Sequence, residues 1–182
     1  MGKPKIEREY YKNGQIWIEY YYVNRKLHRE DGPAIIFYSS NGKIERELYH
    51  INGQLHREDG SAIIHYYENG QIEVEQYRIK GKLHRENGPA YISYFEENSI
   101  IEIESYWINN LRHNENGHAY IEHYENGKIK ETVYYLNDKC HRQDGPAIIE
   151  YNESGEITKE EYYINGEECD ILQEMVIRGL RE

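Results

Sequence analysis

One pattern of about 28 residues recurs six times along the 182-residue chain, and it constrains the fold more than any other feature of the sequence. Its clearest part is the run L-H-R-E-D-G-P-A, which is followed by alternating apolar residues, Asn-Gly and then I-x-x-E-x-Y. The histidines of this run stand 28, 28, 29 and 28 residues apart, at His28, His56, His84, His113 and His141. A fixed period of this length predicts a stacked array in which each repeat packs mainly against its neighbours.

Two turn signals divide each repeat into β-strands. The first tip is Asn-Gly or a similar pair, as at Asn41-Gly42, and Asn-Gly is favoured in two-residue loops whose central residues both have positive φ. The second tip, as at Asn52-Gly53, lies between a long strand and the next histidine. In the E-D-G-P loop, glycine is expected to supply a permissive turn and proline to begin a strand. The sequence therefore predicts an all-β fold, an antiparallel meander or solenoid-like array of about six 28-residue repeats.

The register of the predicted strands follows from counting outward from the tips. Around the first tip, Ile36 lies opposite Glu47 and Tyr38 lies opposite Glu45, on one face of the pleat. Around the second tip, each histidine of the run lies opposite a tyrosine. Alanine, tyrosine and histidine are therefore expected to recur on one face of the sheet.

The end of the chain departs from the repeat. We divide the sequence into a β-hairpin repeat array at residues 1–168 and a C-terminal helical cap at residues 169–182. An N-cap candidate, Asp170, precedes apolar residues at helical spacing: Ile171, Leu172, Met175, Val176 and Leu180. A short amphipathic helix here would cover the open end of the last repeat. The alternative is that this helix docks onto a partner.

Charge and hydropathy limit the partners of the chain. With 33 acidic and 22 basic residues, the formal net charge is -11, which repels nucleic acid and anionic lipid. The sequence has no apolar run of about 18 residues, the length that a membrane-spanning helix needs. We therefore expect no nucleic-acid partner, no membrane partner and a cytoplasmic location, in the host cytoplasm if the source is viral.

The recurring histidines favour a structural ladder over a metal site. Equivalent positions two or three strands apart are on the order of 10 to 14 Å apart, whereas zinc holds its ligand atoms at about 2 Å. The sequence contains no H-x-x-H or C-x-x-C cluster and no nucleophile motif such as G-x-S-x-G. We predict no cofactor, no metal site, no catalytic residue and no enzymatic activity. A metal or acid–base role for the histidines is the alternative.

An acidic column completes the predicted structural ladder. Its members are Glu19, Glu47, Glu75, Glu104 and Glu160. A carboxylate on a buried face needs a partner, and the arginine after each histidine is the candidate. In one repeat Asn114 replaces this arginine and Thr132 replaces the next glutamate, so both sides of the pair are missing together. We therefore hypothesise that Arg57 and Glu75 interact.

Columns that change from repeat to repeat are the candidates for partner recognition. The first variable column contains Tyr22, His50, Arg78, Trp107, Tyr135 and Tyr163, and the second begins with Phe37 and His65. By alternation both columns point away from the Ala-Tyr-His face, and Tyr, Trp and Arg often dominate binding energy. The alternative is that both faces are partly covered, so that Trp107 serves packing alone.

The repeat resembles a known group of sequences. The core N-G-x-I-x-x-E-x-Y-x-x-N-G is similar to the variant MORN-type repeats of bacterial proteins often labelled antitoxins. The L-H-R-E-D-G-P-A run is similar to uncharacterised repeat proteins of phages and giant viruses. The resemblance covers about residues 5–168, and the group has no shared catalytic motif to carry onto these positions.

This resemblance and the variable columns together predict a non-enzymatic repeat scaffold that binds a protein. A viral or phage factor that engages a host protein and an antitoxin-like inhibitor are the two forms that we expect. The alternative is a small-ligand or nucleotide-binding protein that uses clefts between repeats. Long exposed sheet edges also invite pairing, so we expect that end-to-end homodimers can form.

Overall fold

A computed structural model describes residues 3–169 of the chain, and every helix or strand among these residues is a β-strand. This confirms the all-β prediction. Cys169 ends the last strand, whereas the helix predicted from Asp170 onward lies outside the described residues. The chain forms two compact bodies: the first contains residues 3–84 and 93–99, and the second contains residues 85–92 and 100–169.

The first body contains eleven complete strands. They are β1 (Lys5–Tyr10), β2 (Ile16–Val23), β3 (Lys26–Leu27), β4 (Ile35–Tyr38), β5 (Ile44–Leu48), β6 (His50–Ile51), β7 (Gln54–Leu55), β8 (Ile63–Tyr66), β9 (Ile72–Gln76), β10 (Arg78–Ile79) and β11 (Lys82–Leu83). Within this body the long strands follow the antiparallel order β1-β2-β4-β5-β8-β9. The short strands form the hairpins β6-β7 and β10-β11, and β3 pairs with the end of β2.

The second body repeats this arrangement, and β12 (Tyr91–Tyr94) has residues in both bodies. Its own strands are β13 (Ile101–Ser105), β14 (Trp107–Ile108), β15 (Leu111–Arg112), β16 (Tyr120–His123), β17 (Ile129–Val133), β18 (Tyr135–Leu136), β19 (Lys139–Cys140), β20 (Ile148–Tyr151), β21 (Ile157–Ile164) and β22 (Glu167–Cys169). The order is β13-β16-β17-β20-β21-β22, with hairpins β14-β15 and β18-β19. Each internal repeat thus supplies two long strands and one short hairpin, as the meander prediction requires.

The first tip, between β4 and β5, is longer than the two-residue loop that the sequence predicted. At the tip between β4 and β5, Gly42 has a φ of 84°, whereas Asn41 does not have positive φ. The Ser39 N–H donates to the Lys43 carbonyl at 2.9 Å, so three residues form the loop. The Asn41 Oδ1 accepts the Lys43 N–H at 3.1 Å, a local bond of the kind that stabilises turns. The tip is therefore a turn that ends on a left-handed glycine.

A β-bulge compensates for the extra loop residue. The register shifts between Phe37 and Tyr38, so Tyr38 lies opposite Ile44 and not, as predicted, opposite Glu45. Beyond the bulge, Ile36 lies opposite Glu47, which confirms that predicted pair. Bulges at the matching place occur in four other long hairpins: β1-β2, β8-β9, β16-β17 and β20-β21. The predicted register is thus correct for the pairs beyond the bulge, because the longer loop and the bulge shift the register in opposite directions.

The second tips are the true two-residue turns. Asn52 and Gly53 have φ values of 53° and 86°, and the corresponding pair Asn137 and Asp138 has 53° and 64°. Positive φ at both central residues is the geometry of a type I′ turn, whose twist suits an antiparallel hairpin. After this turn, the His56 N–H donates to the Tyr49 carbonyl at 3.0 Å, which confirms the predicted tyrosine–histidine pairing.

The two faces of the sheet differ in what they repeat. One face, which we call the constant face, carries the columns of Ala34, Ile36, Glu47 and Tyr49. Its alanines are fully buried at Ala34, Ala62, Ala90, Ala119 and Ala147. The other face, which we call the variable face, carries the residues that alternate with these along each strand, such as Phe37 and Arg46. The core of each body therefore lies mainly on the constant face.

Candidate interaction surface

The histidines of the constant face join each repeat to the next. In the first body, the Asn52 N–H donates to His28 Nδ1 at 3.1 Å, across 24 residues of sequence. The same bond recurs from Lys80 to His56, from Asn137 to His113 and from Asn165 to His141, at 3.2, 3.3 and 3.0 Å. In each of these bonds the Nδ1 atom is the acceptor. The histidine column thus connects successive repeats by a hydrogen bond from backbone to side chain.

Histidine Nε2 faces the acidic residue two positions later in the same loop. The distance from His28 Nε2 to Glu30 Oε1 is 3.5 Å, and His113 has the same relation to Glu115 at 3.5 Å. Among residues 3–169, no group of three His, Cys, Asp or Glu side chains is placed to hold a metal ion.

The glutamate column is satisfied mainly by tyrosine hydroxyls. The Tyr66 hydroxyl donates to Glu47 Oε2 at 2.8 Å, and the Tyr94 hydroxyl donates to Glu75 Oε2 at 2.9 Å. Ser61 Oγ supplies a second donor to Glu75 at 2.8 Å. Burial and the bond to Glu47 raise the pKa of Tyr66, so the phenol stays protonated and remains a donor. Glu160 is exposed, and its side chain has no hydrogen-bond or ion-pair partner within residues 3–169.

Arg57 does not pair with Glu75, contrary to our hypothesis. Its Nε lies 3.1 Å from Asp59 Oδ1, and its guanidinium stacks over the Tyr49 ring at 4.1 Å from the centroid. The Arg57 side chain thus binds Asp59 within its own loop and packs on the Tyr49 ring. Arg29 and Arg142 repeat both contacts with their own aspartates and tyrosines.

In the first body, one row of the variable face is apolar and basic from β2 to β9, and the acidic Glu9 of β1 lies next to its first member, Ile18. Ile18, Phe37, Arg46, His65 and Val74 lie side by side in register across five strands. The Arg46 guanidinium stacks over the Phe37 ring at 4.1 Å. Burial and, secondarily, the charge of Arg46 lower the pKa of His65, so this imidazole is biased toward its neutral form.

In the second body, the matching row is acidic. Ile103, Glu122, Glu131, Glu150 and Lys159 lie in register there. Burial and the neighbouring charges of Glu122 and Glu150 raise the pKa of Glu131. Two lysines lie at the margin of the row: Lys130 contacts Glu122 at 2.6 Å and Lys159 contacts Glu150 at 3.1 Å. Like charges directly opposite one another destabilise a sheet, so this row keeps an unfavourable arrangement.

An aromatic cluster around Arg112 borders the acidic row. Its guanidinium lies 5.1, 5.2 and 5.8 Å from the ring centroids of Trp107, Tyr135 and Tyr120. Trp107 Nε1 and Arg112 Nε are buried, and the part of the chain that the structure describes offers neither of them a hydrogen-bond partner. The sequence prediction missed Arg112, although a signal existed, because Arg112 replaces the leucine found at Leu55 and its equivalents.

Most of the predicted binding residues on the variable face are half-buried. His50 is buried, and burial lowers its pKa, whereas the remaining predicted residues are half-buried: Tyr22, Phe37, His65, Arg78, Trp107, Tyr135 and Tyr163. Arg78 donates to Gln76 Oε1 and to the Gly81 carbonyl. In the first body, Phe37 and His65 lie on either side of Arg46 in one row. In the second body, Trp107 and Tyr135 both lie next to Arg112.

Clefts between successive E-D-G-P loops form a second type of concavity. One cleft in the first body has a volume of about 500 Å³ and is lined by Arg29, Asp31, Tyr49, His56, Arg57 and Asp59, among others. A matching cleft of about 710 Å³ in the second body is lined by Asn114, Tyr134, His141, Arg142 and Asp144, among others. Both clefts combine an aromatic ring, an imidazole and a guanidinium.

Comparison with protein families identifies the repeats. The MORN repeat variant matches three segments of the chain, residues 3–24, 63–79 and 119–137. These segments contain β1 and β2, β8 to β10, and β16 to β18, which are the long hairpins and the starts of short ones. No curated protein and no solved structure is significantly similar to the chain. None of the elements at residues 3–169 is a helix long and apolar enough to cross a membrane.

Proposed function

We propose that this protein, which is a MORN-variant repeat protein, is a non-enzymatic scaffold that binds another protein through its variable face. The observation that carries the proposal is the contrast between the two faces of one sheet. The constant face repeats the same alanines, isoleucines and tyrosines, whereas the matching row of the variable face changes from Phe37, Arg46 and His65 to Glu122 and Glu131. The stacking of repeats requires the residues of the constant face, whereas it does not require those of the variable face.

The chemistry of the variable face favours a protein partner with a basic surface. Trp107, Tyr135 and Arg112 are residue types that often anchor interfaces, and they lie beside the acidic row. Basic side chains of a partner would relieve the repulsion among Glu122, Glu131 and Glu150. Nucleic acid and anionic lipid would increase this repulsion, because both carry negative charge.

Two biological settings fit this proposal. One is an antitoxin-like inhibitor that covers the surface of another protein, and the other is a viral or phage factor that engages a host protein. Both settings place the protein in the cytoplasm. They share the same physical requirement, a stable array that displays a surface specific for one partner.

Affinity capture tests the proposal directly. The immobilised chain is used to recover partners from lysate, and Trp107→Ala is compared with the wild type. We expect about a tenfold loss of affinity, because a truncated aromatic anchor often costs more than 1 kcal/mol. Trp17→Ala is the matched control, since Trp17 is an exposed tryptophan of the first body. Equal capture by both variants and the wild type would contradict a role for the Arg112 cluster.

A second candidate function is the binding of a small ligand in the clefts between loops. The recurrence of a tyrosine, a histidine and an arginine in both described clefts favours it. A ring-containing anion such as a nucleotide could stack on tyrosine and meet the guanidinium. Thermal shift with a nucleotide panel separates the two functions, because a ligand raises the melting temperature in the absence of any protein.

A further inference from the structure

The repeats within each body are joined edge to edge by a fixed register. The second long strand of one repeat pairs with the first long strand of the next: Arg46 with His65, Glu47 with Ile64 and Leu48 with Ile63. In the second body, the equivalent pairs are Glu131 with Glu150, Thr132 with Ile149 and Val133 with Ile148. This pairing defines one interface that recurs along the array.

Two strands, β1 and the first part of β21, have an edge that corresponds to one side of this interface. Among residues 3–169, no other strand pairs with either edge. Strand β1 is the first of the order and pairs only with β2. Within residues 3–169, positions 157–161 of β21 pair only with β20, since β22 pairs with β21 from Tyr162 onward. By the 28-residue period, β1 corresponds to β4, and residues 157–161 correspond to β17. One strand therefore presents the first side of the recurring interface, and the other presents the second side.

The side chains on these two strands are complementary in charge. If the internal register continued from β21 of one copy to β1 of another, Lys159 would lie opposite Glu9 and Glu160 opposite Arg8. The third pair would place Glu161 opposite Glu7, which is unfavourable. Opposite charges directly across a sheet are stabilising, so two of the three pairs favour the contact.

Arg8 is the most informative residue of this edge. Its column carries isoleucine in all later repeats: Ile36, Ile64, Ile92, Ile121 and Ile149. The Arg8 Nε donates to Glu19 Oε1 at 2.5 Å, and the Arg8 side chain remains 43% exposed. An arginine between two members of the glutamate column can bind both, with Glu19 on one side and Glu160 of another copy on the other.

The turn of the first repeat also lacks the contacts that later turns make. The Gly53 N–H donates to the Leu27 carbonyl at 2.7 Å, and the Gly166 N–H donates to the Cys140 carbonyl at 2.8 Å. Within residues 3–169, the backbone N–H groups of Asn24 and Arg25 have no such acceptor. Beside this turn lies a largely apolar hollow of about 550 Å³, lined by Pro4, Ile6, Tyr21, Val23, His28, Arg29, Glu30 and Asp31.

We propose that a second copy of this chain occupies this edge, so that β21 of one molecule pairs with β1 of the next and the sheet continues from copy to copy. The contact is head-to-tail and uses different surfaces on its two sides, so each dimer keeps one free end of each kind. Such an interface gives open chains whose length grows with concentration.

A disulfide between two separately prepared variants tests the register. In a background with Cys140→Ala and Cys169→Ser, Glu9→Cys protein is mixed with Lys159→Cys protein and oxidised. Directly opposed residues have Cα atoms about 4.5 to 5.5 Å apart, within the range for a disulfide. We expect a covalent heterodimer from this mixture. The matched control, Glu9→Cys with Glu160→Cys, places the two thiols on opposite faces and should give little product.

Sedimentation across a concentration series tests the association itself. The wild type is expected to increase in mean mass with concentration, whereas Glu9→Lys and Glu160→Arg, which oppose like charges, should shift this increase to at least about tenfold higher concentration. Glu45→Lys is the control, because Glu45 is an exposed glutamate on β5 inside the first body. A monomeric mass at every concentration, or equal cross-linking in both registers, would overturn the proposal.

Discussion

At the scale of single residues, three glycines of the E-D-G-P loops, Gly32, Gly60 and Gly145, are required by a neighbouring arginine more than by their own backbone. Gly60 does not have positive φ, but a Cβ at this position would lie 2.9 Å from Arg57 Cζ. The glycine thus leaves room for the guanidinium to lie between Tyr49 and Asp59. Gly117 provides the natural comparison, since its repeat has Asn114 in place of arginine and a Cβ there would meet nothing closer than 3.7 Å.

This contrast makes a matched pair of substitutions informative. Gly60→Ala should displace Arg57 from the Tyr49 ring and lower the free energy of unfolding by about 1 kcal/mol, the size of one cation–π contact. Gly117→Ala should change stability by less than about 0.5 kcal/mol, as surface substitutions usually do. Urea unfolding of both variants measures the difference. Equal losses would show that the backbone, not the arginine, requires glycine.

At the scale of elements, short hairpins and long hairpins obey different turn rules. The short hairpins have type I′ turns with positive φ at both central residues, and the following histidine pairs as predicted. The long hairpins use a three-residue loop and a bulge, because the asparagine side chain bonds locally to the backbone. The inner register could be predicted from the sequence, but the loop type could not, since Asn-Gly suits either turn.

The histidine bond between repeats is testable at this scale. His56→Ala removes the acceptor of the Lys80 N–H and should lower the free energy of unfolding by about 1 kcal/mol. His56→Asn places an amide oxygen near the former Nδ1 and should retain about half of this contribution or more. Chemical unfolding measures both variants. If alanine and asparagine were equally destabilising, the ring packing and not the hydrogen bond would explain the column.

At the scale of the whole molecule, the charges on the variable face differ between the two bodies. The row in the first body contains Arg46 and His65, whereas the row in the second body contains three carboxylates in register. A raised pKa in the folded state means that the ionised form of Glu131 is disfavoured there. This destabilisation is absent at pH values at which Glu131 is protonated in the unfolded chain as well. It increases as the pH rises through the pKa of Glu131 in the folded state.

Glu131→Gln should therefore stabilise the protein at neutral pH. We expect a gain of roughly 0.2 to 1 kcal/mol, the range for a cross-strand pair. The gain should disappear as the pH falls below 4.5, the ordinary value for a glutamate. Thermal unfolding between pH 4 and 8 measures the effect, with Glu45→Gln as the control. A gain that is independent of pH would contradict the electrostatic explanation.

The sequence by itself determined the repeat, the alternation of faces, the inner strand pairs and the membership of the structural columns. It could do so because a 28-residue period and a two-residue strand period leave few ways to pair the strands. Only the tertiary structure decided the partners of Arg57, Glu47 and Glu75, and the assembly of the Arg112 cluster. Long polar side chains can reach several acceptors, and the distances between folded loops and strands select one of them.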